Sequence, residues 1–210
     1  DYNDGFVMPA ATDRATYVAF APSGSDETTL WAGDFQEETL FTSASLLDKR
    51  GIDGEPLAGW ARYPAGVAWS LMQAGQPVHG VLAAFASDVP RGAGLSSSAS
   101  VEVAFGMAWM RIAGVALPPM ELALTCQRAE NQYVGVNCGI MDQAASACSE
   151  ERRLMLLDCR SLEYQTLPLA EGTVIIVADT GVRHNLASSA YNDRRAACEI
   201  PQYQPRMAAR

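Results

Sequence analysis

The strongest chemical signal in the chain is the segment Pro90-Arg91-Gly92-Ala93-Gly94-Leu95-Ser96-Ser97-Ser98-Ala99-Ser100, which follows a β-rich run and leads into the apolar residues 101–110. Gly92 and Gly94 tolerate positive φ and let backbone N–H groups approach a ligand. The serines add hydroxyl donors, and the start of a helix favours an anion. A polyphosphate suits this chemistry. No Gly-Lys-Ser/Thr closes the loop as in a P-loop, and the dinucleotide pattern Gly-x-Gly-x-x-Gly fails at Ser97. A serine-rich N-cap on a tight turn would have the same composition.

Two carboxylates stand out beside it. Asp142 lies in Asn137-Cys138-Gly139-Ile140-Met141-Asp142-Gln143, alone among apolar residues after a glycine. Facing a cleft, it could accept or orient a hydroxyl proton; otherwise it would be tied up by loop amides. Glu130 sits on a helix beside Gln127 and Arg128. A helix carboxylate with a serine hydroxyl would meet the needs of Mg²⁺ on nucleotide phosphates, whereas a solvated surface Glu is the plain alternative. Trp60 and Tyr63 recur at core-like helical spacing, but Trp60 at a cleft edge would suit stacking on a purine. His79 and His184 belong to no metal-ligating cluster, and Gly-x-Ser-x-Gly is absent around Ser97 and Ser98, so transition-metal and serine-hydrolase chemistry have little support.

These residues are carried by 210 residues, enough for one full domain and part of a second. With 49% hydrophobic and 19% charged residues the chain should fold. A net charge of −9 argues against nucleic-acid and anionic-membrane partners. No apolar run is long enough for a membrane helix. The five cysteines, Cys126, Cys138, Cys148, Cys159 and Cys198, form no Cys-x-x-Cys pair and read as reduced thiols of a cytoplasmic protein.

The elements that must position the site alternate with turn-rich stretches at residues 22–26, 48–56, 90–94, 118–119 and 171–172. Residues 15–21 and 78–89 read as strands, and the short apolar runs 154–158 and 174–179 as buried strands. The remainder reads as helical. One helix carries Trp60, Tyr63, Val67 and Leu71 with Pro64 in its first turn, and a second starts after Leu95. A third, opened by Pro118-Pro119, has Leu122, Cys126, Ala129 and Tyr133 on one face. A last helix covers residues 188–199. Early strands pairing with late ones, and helices in blocks, predict an α+β domain with a boundary near Gly172.

Together these segments resemble the galactokinases of the GHMP small-molecule kinase superfamily, in the family's order and over nearly the whole chain. Asp1-Tyr2-Asn3-Asp4-Gly5-Phe6-Val7-Met8-Pro9 is similar to the second half of the galactokinase signature. Residues 90–100 resemble the superfamily's phosphate-binding motif, Ala129-Glu130-Asn131 and residues 138–143 its next blocks, and Tyr191-Asn192-Asp193-Arg194-Arg195 its Tyr-Asn-x-Arg-Arg.

The resemblance implies that Gly92, Ala93, Gly94, Leu95, Ser96, Ser97 and Ser98 wrap the phosphates of ATP, that Ser98 and Glu130 hold Mg²⁺, and that Trp60 lies near adenine. It implies Asp142 as the catalytic base, with Asp1, Gly139 and Tyr191 positioning a galactose. It also implies the GHMP kinase fold: a domain like ribosomal protein S5 domain 2 over residues 1–172, lacking its first strand, and the start of a ferredoxin-like domain over residues 173–210.

The first half of the signature, with its Arg, Glu and His, and the Gly-rich third motif are expected outside the chain, which therefore reads as an inactive piece of a longer cytoplasmic protein. N-acetylgalactosamine and L-arabinose are alternative sugars. A non-catalytic galactose and ATP sensor and a functionless remnant are alternative fates. No protein partner is implied, and the apolar run 174–179 predicts self-association.

Overall fold

The computed structural model describes Asp1, residues 3–179 and Gly181. Its elements run β1 (Phe6–Val7), β2 (Thr16–Pro22), β3 (Glu27–Ala32), β4 (Glu37–Thr42), α1 (Ser43–Leu46), α2 (Arg62–Gln73), β5 (Val81–Ser87), α3 (Ser97–Ala113), α4 (Pro119–Arg128), a π-helix (Ala129–Val134), α5 (Met141–Cys148), β6 (Arg153–Asp158) and β7 (Tyr164–Pro168). The composition is α+β, as expected.

A mixed sheet of order β2-β5-β3-β4 forms one layer. Its first strand pairs with one far along the chain, Thr16 opposite Ser87, and β3 runs parallel to β5. Leu30, Ala32, Phe41, Ala83 and Phe85 point from this sheet into a core shared with Val67, Leu71, Phe105, Trp109 and Cys126 of the helices. A second sheet, β1-β6-β7, packs Met155 and Leu157 against Ala123, Ile140, Ala144 and Cys148.

The hairpin β3–β4 and strand β7 replace helix where the sequence reading had one. The period-two signal is there: Thr28, Leu30 and Ala32 are buried and alternate with the less buried Thr29 and Trp31. Residues 174–179 are a second correction, since they form no strand. Val174 is 77% and Ile176 86% exposed, because no described sheet edge pairs with their backbone. The helix expected over residues 188–199 lies outside the described residues.

Helix positions follow local rules. Pro64 occupies the first turn of α2, where its missing N–H costs nothing, and Trp60 falls just ahead of that helix. Pro119 opens α4, and Leu122, Cys126, Ala129 and Tyr133 are all buried. α4 does not stop at Arg128 but widens into the π-helix, which ends on Gly135 at φ 95°. Gly66 lets α2 lie close to the Tyr133 ring, which a Cβ there would approach to 3.1 Å.

Candidate active site

The loop before α3 is built from left-handed residues at every second position: Gly92 (φ 67°), Gly94 (φ 74°) and Ser96 (φ 57°). The two glycines adopt that region at no steric cost, whereas Ser96 is strained there. Ser96 is the residue preceding α3, yet its hydroxyl does not cap the helix. It bonds the Asp142 carboxylate instead. The first-turn amides of α3, those of Ser97, Ser98 and Ala99, have no intrahelical acceptor and receive no side-chain cap from Ser96. The turn can therefore present N–H groups to an anion.

Asp142 lies in the first turn of α5. Burial pushes its carboxyl above the usual range, and the Ser96 hydroxyl partly offsets that. It is thus held by a side chain from the loop before α3 rather than by loop amides. One residue earlier, the Met141 N–H donates to the Asp1 carboxylate at 3.1 Å. Gly139 leaves room for that same carboxylate, since a Cβ there would fall on it and the Asp1 side chain would have to move. Asp1, Cys138 and Gly139 also line a cavity of about 280 Å³ with Gln127, Asn131 and Arg160.

Glu130 is not a surface residue: 3% of it is exposed. The π-helix turns it inward, where its Oε2 accepts the Gln143 amide at 2.6 Å and the Cys138 thiol at 3.3 Å. The Ser98 hydroxyl also bonds this carboxylate. Burial raises the Glu130 pKa despite these donors. Beneath it lies Glu102, fully buried on α3, accepting the other Gln143 N–H at 3.1 Å. Burial first, and the Glu130 charge second, push the Glu102 carboxyl well above the usual range. The same two causes lift the Tyr63 phenol to about 12. Glu102 and Gln143 were not singled out from the sequence as site residues. The signal for Glu102 was its place four residues after Ser98, a lone carboxylate in an apolar helix.

Trp60 is half-buried, stacked on Phe35 at 6.0 Å and 17°, and tilted against Phe85. Its Nε1–H donates to Glu37 at 2.6 Å. Arg91, from the loop before α3, lies 4.2 Å from the centre of the Phe35 ring. An aromatic platform and the loop therefore adjoin. The structure brings Asp1, Ser96, Ser98, Glu130, Gly139 and Asp142 together; Tyr191 lies outside the described residues.

Residues 1–22 match the galactokinase galactose-binding signature and residues 62–150 the GHMP kinases N terminal domain, spans that contain Asp1 and the Ser98–Glu130–Asp142 constellation respectively. A galactokinase of Chloroflexus aggregans is 44% identical over 95% of this chain. The chain is thus similar to galactokinases over nearly all its residues and to the GHMP kinase N-terminal domain over residues 62–150. It spans 50% of that relative's length. The Lactococcus lactis galactokinase, solved in complex with galactose, superposes with TM-score 0.80 at 28% identity, over 93% of this chain and 50% of that one. Mevalonate kinase of Methanococcus jannaschii shares the fold alone, with TM-score 0.62 and 15% identity over 78% of this chain and 49% of that one. The α+β architecture is therefore the GHMP kinase fold.

Proposed function

We propose that this chain is the ATP- and sugar-binding part of a kinase that transfers the γ-phosphoryl group of ATP to the C1 hydroxyl of D-galactose, giving galactose 1-phosphate. The observation that carries this reading is a buried carboxylate, Asp142, hydrogen-bonded to Ser96 at the uncapped start of α3. A base, an anion-binding helix start and a sugar-facing carboxylate, Asp1, then share one locus.

In this reading Asp142 takes the proton of the C1 hydroxyl as that oxygen bonds the γ-phosphorus. The bond from phosphorus to the bridging oxygen breaks, and ADP leaves with the electron pair. A carboxyl raised by burial is a stronger base than a solvated one. The amides of residues 97–99 and the loop 92–96 stabilise the charge on the phosphoryl oxygens. Asp1, Gly139 and Tyr191 position the sugar, and the Trp60 platform receives the adenine.

The residues present suit Mg²⁺: Ser98 and Glu130 offer hard oxygen donors in mutual contact, and a carboxylate so buried is costly to ionise with no cation beside it. When bound there, Mg²⁺ would neutralise phosphate charge. Residues 1–172 form the nucleotide- and sugar-binding domain in this reading, and residues 173–210 begin a second one. The free Cys126, Cys138, Cys148 and Cys159 suit a reducing, cytoplasmic setting.

The test is galactose-dependent ADP release. The 210 residues alone should give none. A chimera in which they replace the matching half of the Chloroflexus aggregans galactokinase should turn over, and Asp142→Asn in it should lower kcat about 10²–10⁴-fold. A chimera that binds galactose and ATP without turnover would mark a sensor instead.

A further inference from the structure

We propose that Glu102, acting through Gln143, is a positioning residue that aims the Glu130 carboxylate at the divalent cation; this rests on the reading of Glu130 as a metal ligand. Both Glu102 and Gln143 are fully buried. The Gln143 amide spends its two N–H groups on two carboxylates, Glu130 Oε2 at 2.6 Å and Glu102 Oε2 at 3.1 Å. Three helical segments meet at that one amide: α3, α5 and the π-helix.

Two further atoms show that this arrangement serves direction rather than stability. Glu102 Oε1 and Gln143 Oε1 are sealed from solvent and have no hydrogen-bond partner among the described residues. Apolar side chains of the same shape would pack there without unmet acceptors. What they could not do is fix the amide. Turned over, Gln143 would set its Oε1 against Glu130 Oε2, acceptor against acceptor, and lose both bonds at once. Held as it is, Gln143 joins the Cys138 thiol in occupying Glu130 Oε2. That leaves Oε1 of Glu130 as the oxygen able to face a cation. Ser98, the other candidate ligand, stands four residues before Glu102 on α3, so one helix face carries both the ligand and the residue that aims its partner.

Partners of this outer kind change metal affinity by about 10–100-fold. The experiment is Mn²⁺ binding to the 210-residue chain in the presence of ATP, read by the electron paramagnetic resonance of free Mn²⁺, with urea unfolding alongside. Glu102→Met should weaken Mn²⁺ binding about 10–100-fold while the unfolding midpoint holds or rises. Glu102→Gln, which still offers Gln143 an acceptor, should restore parental affinity. Gln143→Met removes the same bridge from its other end and must lose as much, even if Glu102→Met does not fold, and combining the two should cost no more than Gln143→Met alone. Parental affinity in either Met variant, or a Gln variant as weak as Glu102→Met, would overturn the positioning role only. A parent chain that takes up no Mn²⁺ would overturn the metal reading of Glu130 and this role with it.

Discussion

Asp1 and Met141, 140 positions apart, are joined by a 3.1 Å hydrogen bond from the Met141 N–H to the Asp1 carboxylate. The bond satisfies an orphan amide at the start of α5 and anchors the Asp1 carboxylate to the residue next to Asp142. Gly139 makes it possible by having no side chain. Gly139→Ala should push Asp1 aside and destabilise the chain by about 1–3 kcal/mol, as overpacking does. Urea unfolding measures the first effect, and galactose titration of the chimera should show weakened binding. Parental values for both would remove the close approach from the account.

Ser96 spends its hydroxyl on Asp142 and accepts a left-handed backbone. Ser96→Gly should relieve that backbone and hold or raise stability by about 1 kcal/mol, yet slow turnover. The lost hydrogen bond had favoured the carboxylate, so the Asp142 pKa should rise further and the acid limb of the chimera's pH–rate profile should move to higher pH. An unmoved limb would separate Ser96 from the chemistry.

The buried carboxyl of Glu102 makes stability depend on pH in a defined direction. Its folded pKa lies above its unfolded value, so the folded state binds more protons across the interval between them. That contribution is fully present below the ordinary carboxylate range and is lost as pH rises through the raised folded value. Glu102→Gln cannot ionise and should flatten the decline, leaving the variant the more stable form at pH 8 by about 1–3 kcal/mol. Urea midpoints from pH 4 to 9 decide it; parallel curves would mean Glu102 does not titrate as its burial demands.

Trp60 links the aromatic platform to β4 through Glu37 and adjoins Arg91 through Phe35. Trp60→Leu should raise KM for ATP in the chimera with little change in kcat, since base contacts are made equally in the ground and transition states. A fall in kcat at constant KM would place Trp60 elsewhere in the mechanism.

The exposed run Val174, Ile175, Ile176 and Val177 should drive self-association of the 210-residue chain, visible as concentration-dependent sedimentation. Replacing Ile175 and Ile176 with Ser should reduce it. Monodisperse sedimentation of the parent would show that this run is not sticky.

The sequence by itself determined the parts whose signal is local. Glycines at 92 and 94 predict left-handed turns because no other residue adopts them cheaply, and prolines at 64 and 119 mark helix starts because they need no N–H there. The family likeness and its candidate residues were likewise legible, since they are runs of contiguous residues.

Tertiary structure decided what depends on distance in space. Whether Glu130 is solvated or buried turns on the π-helix and on Gln143, and neither leaves a mark on Glu130's neighbours in sequence. Asp142 escapes the role of an ordinary cap because Ser96, from the loop before α3, reaches it. Residues 174–179 show the converse. Their composition is that of a strand, but a strand exists only where a second edge accepts its hydrogen bonds, and composition carries no information about that edge.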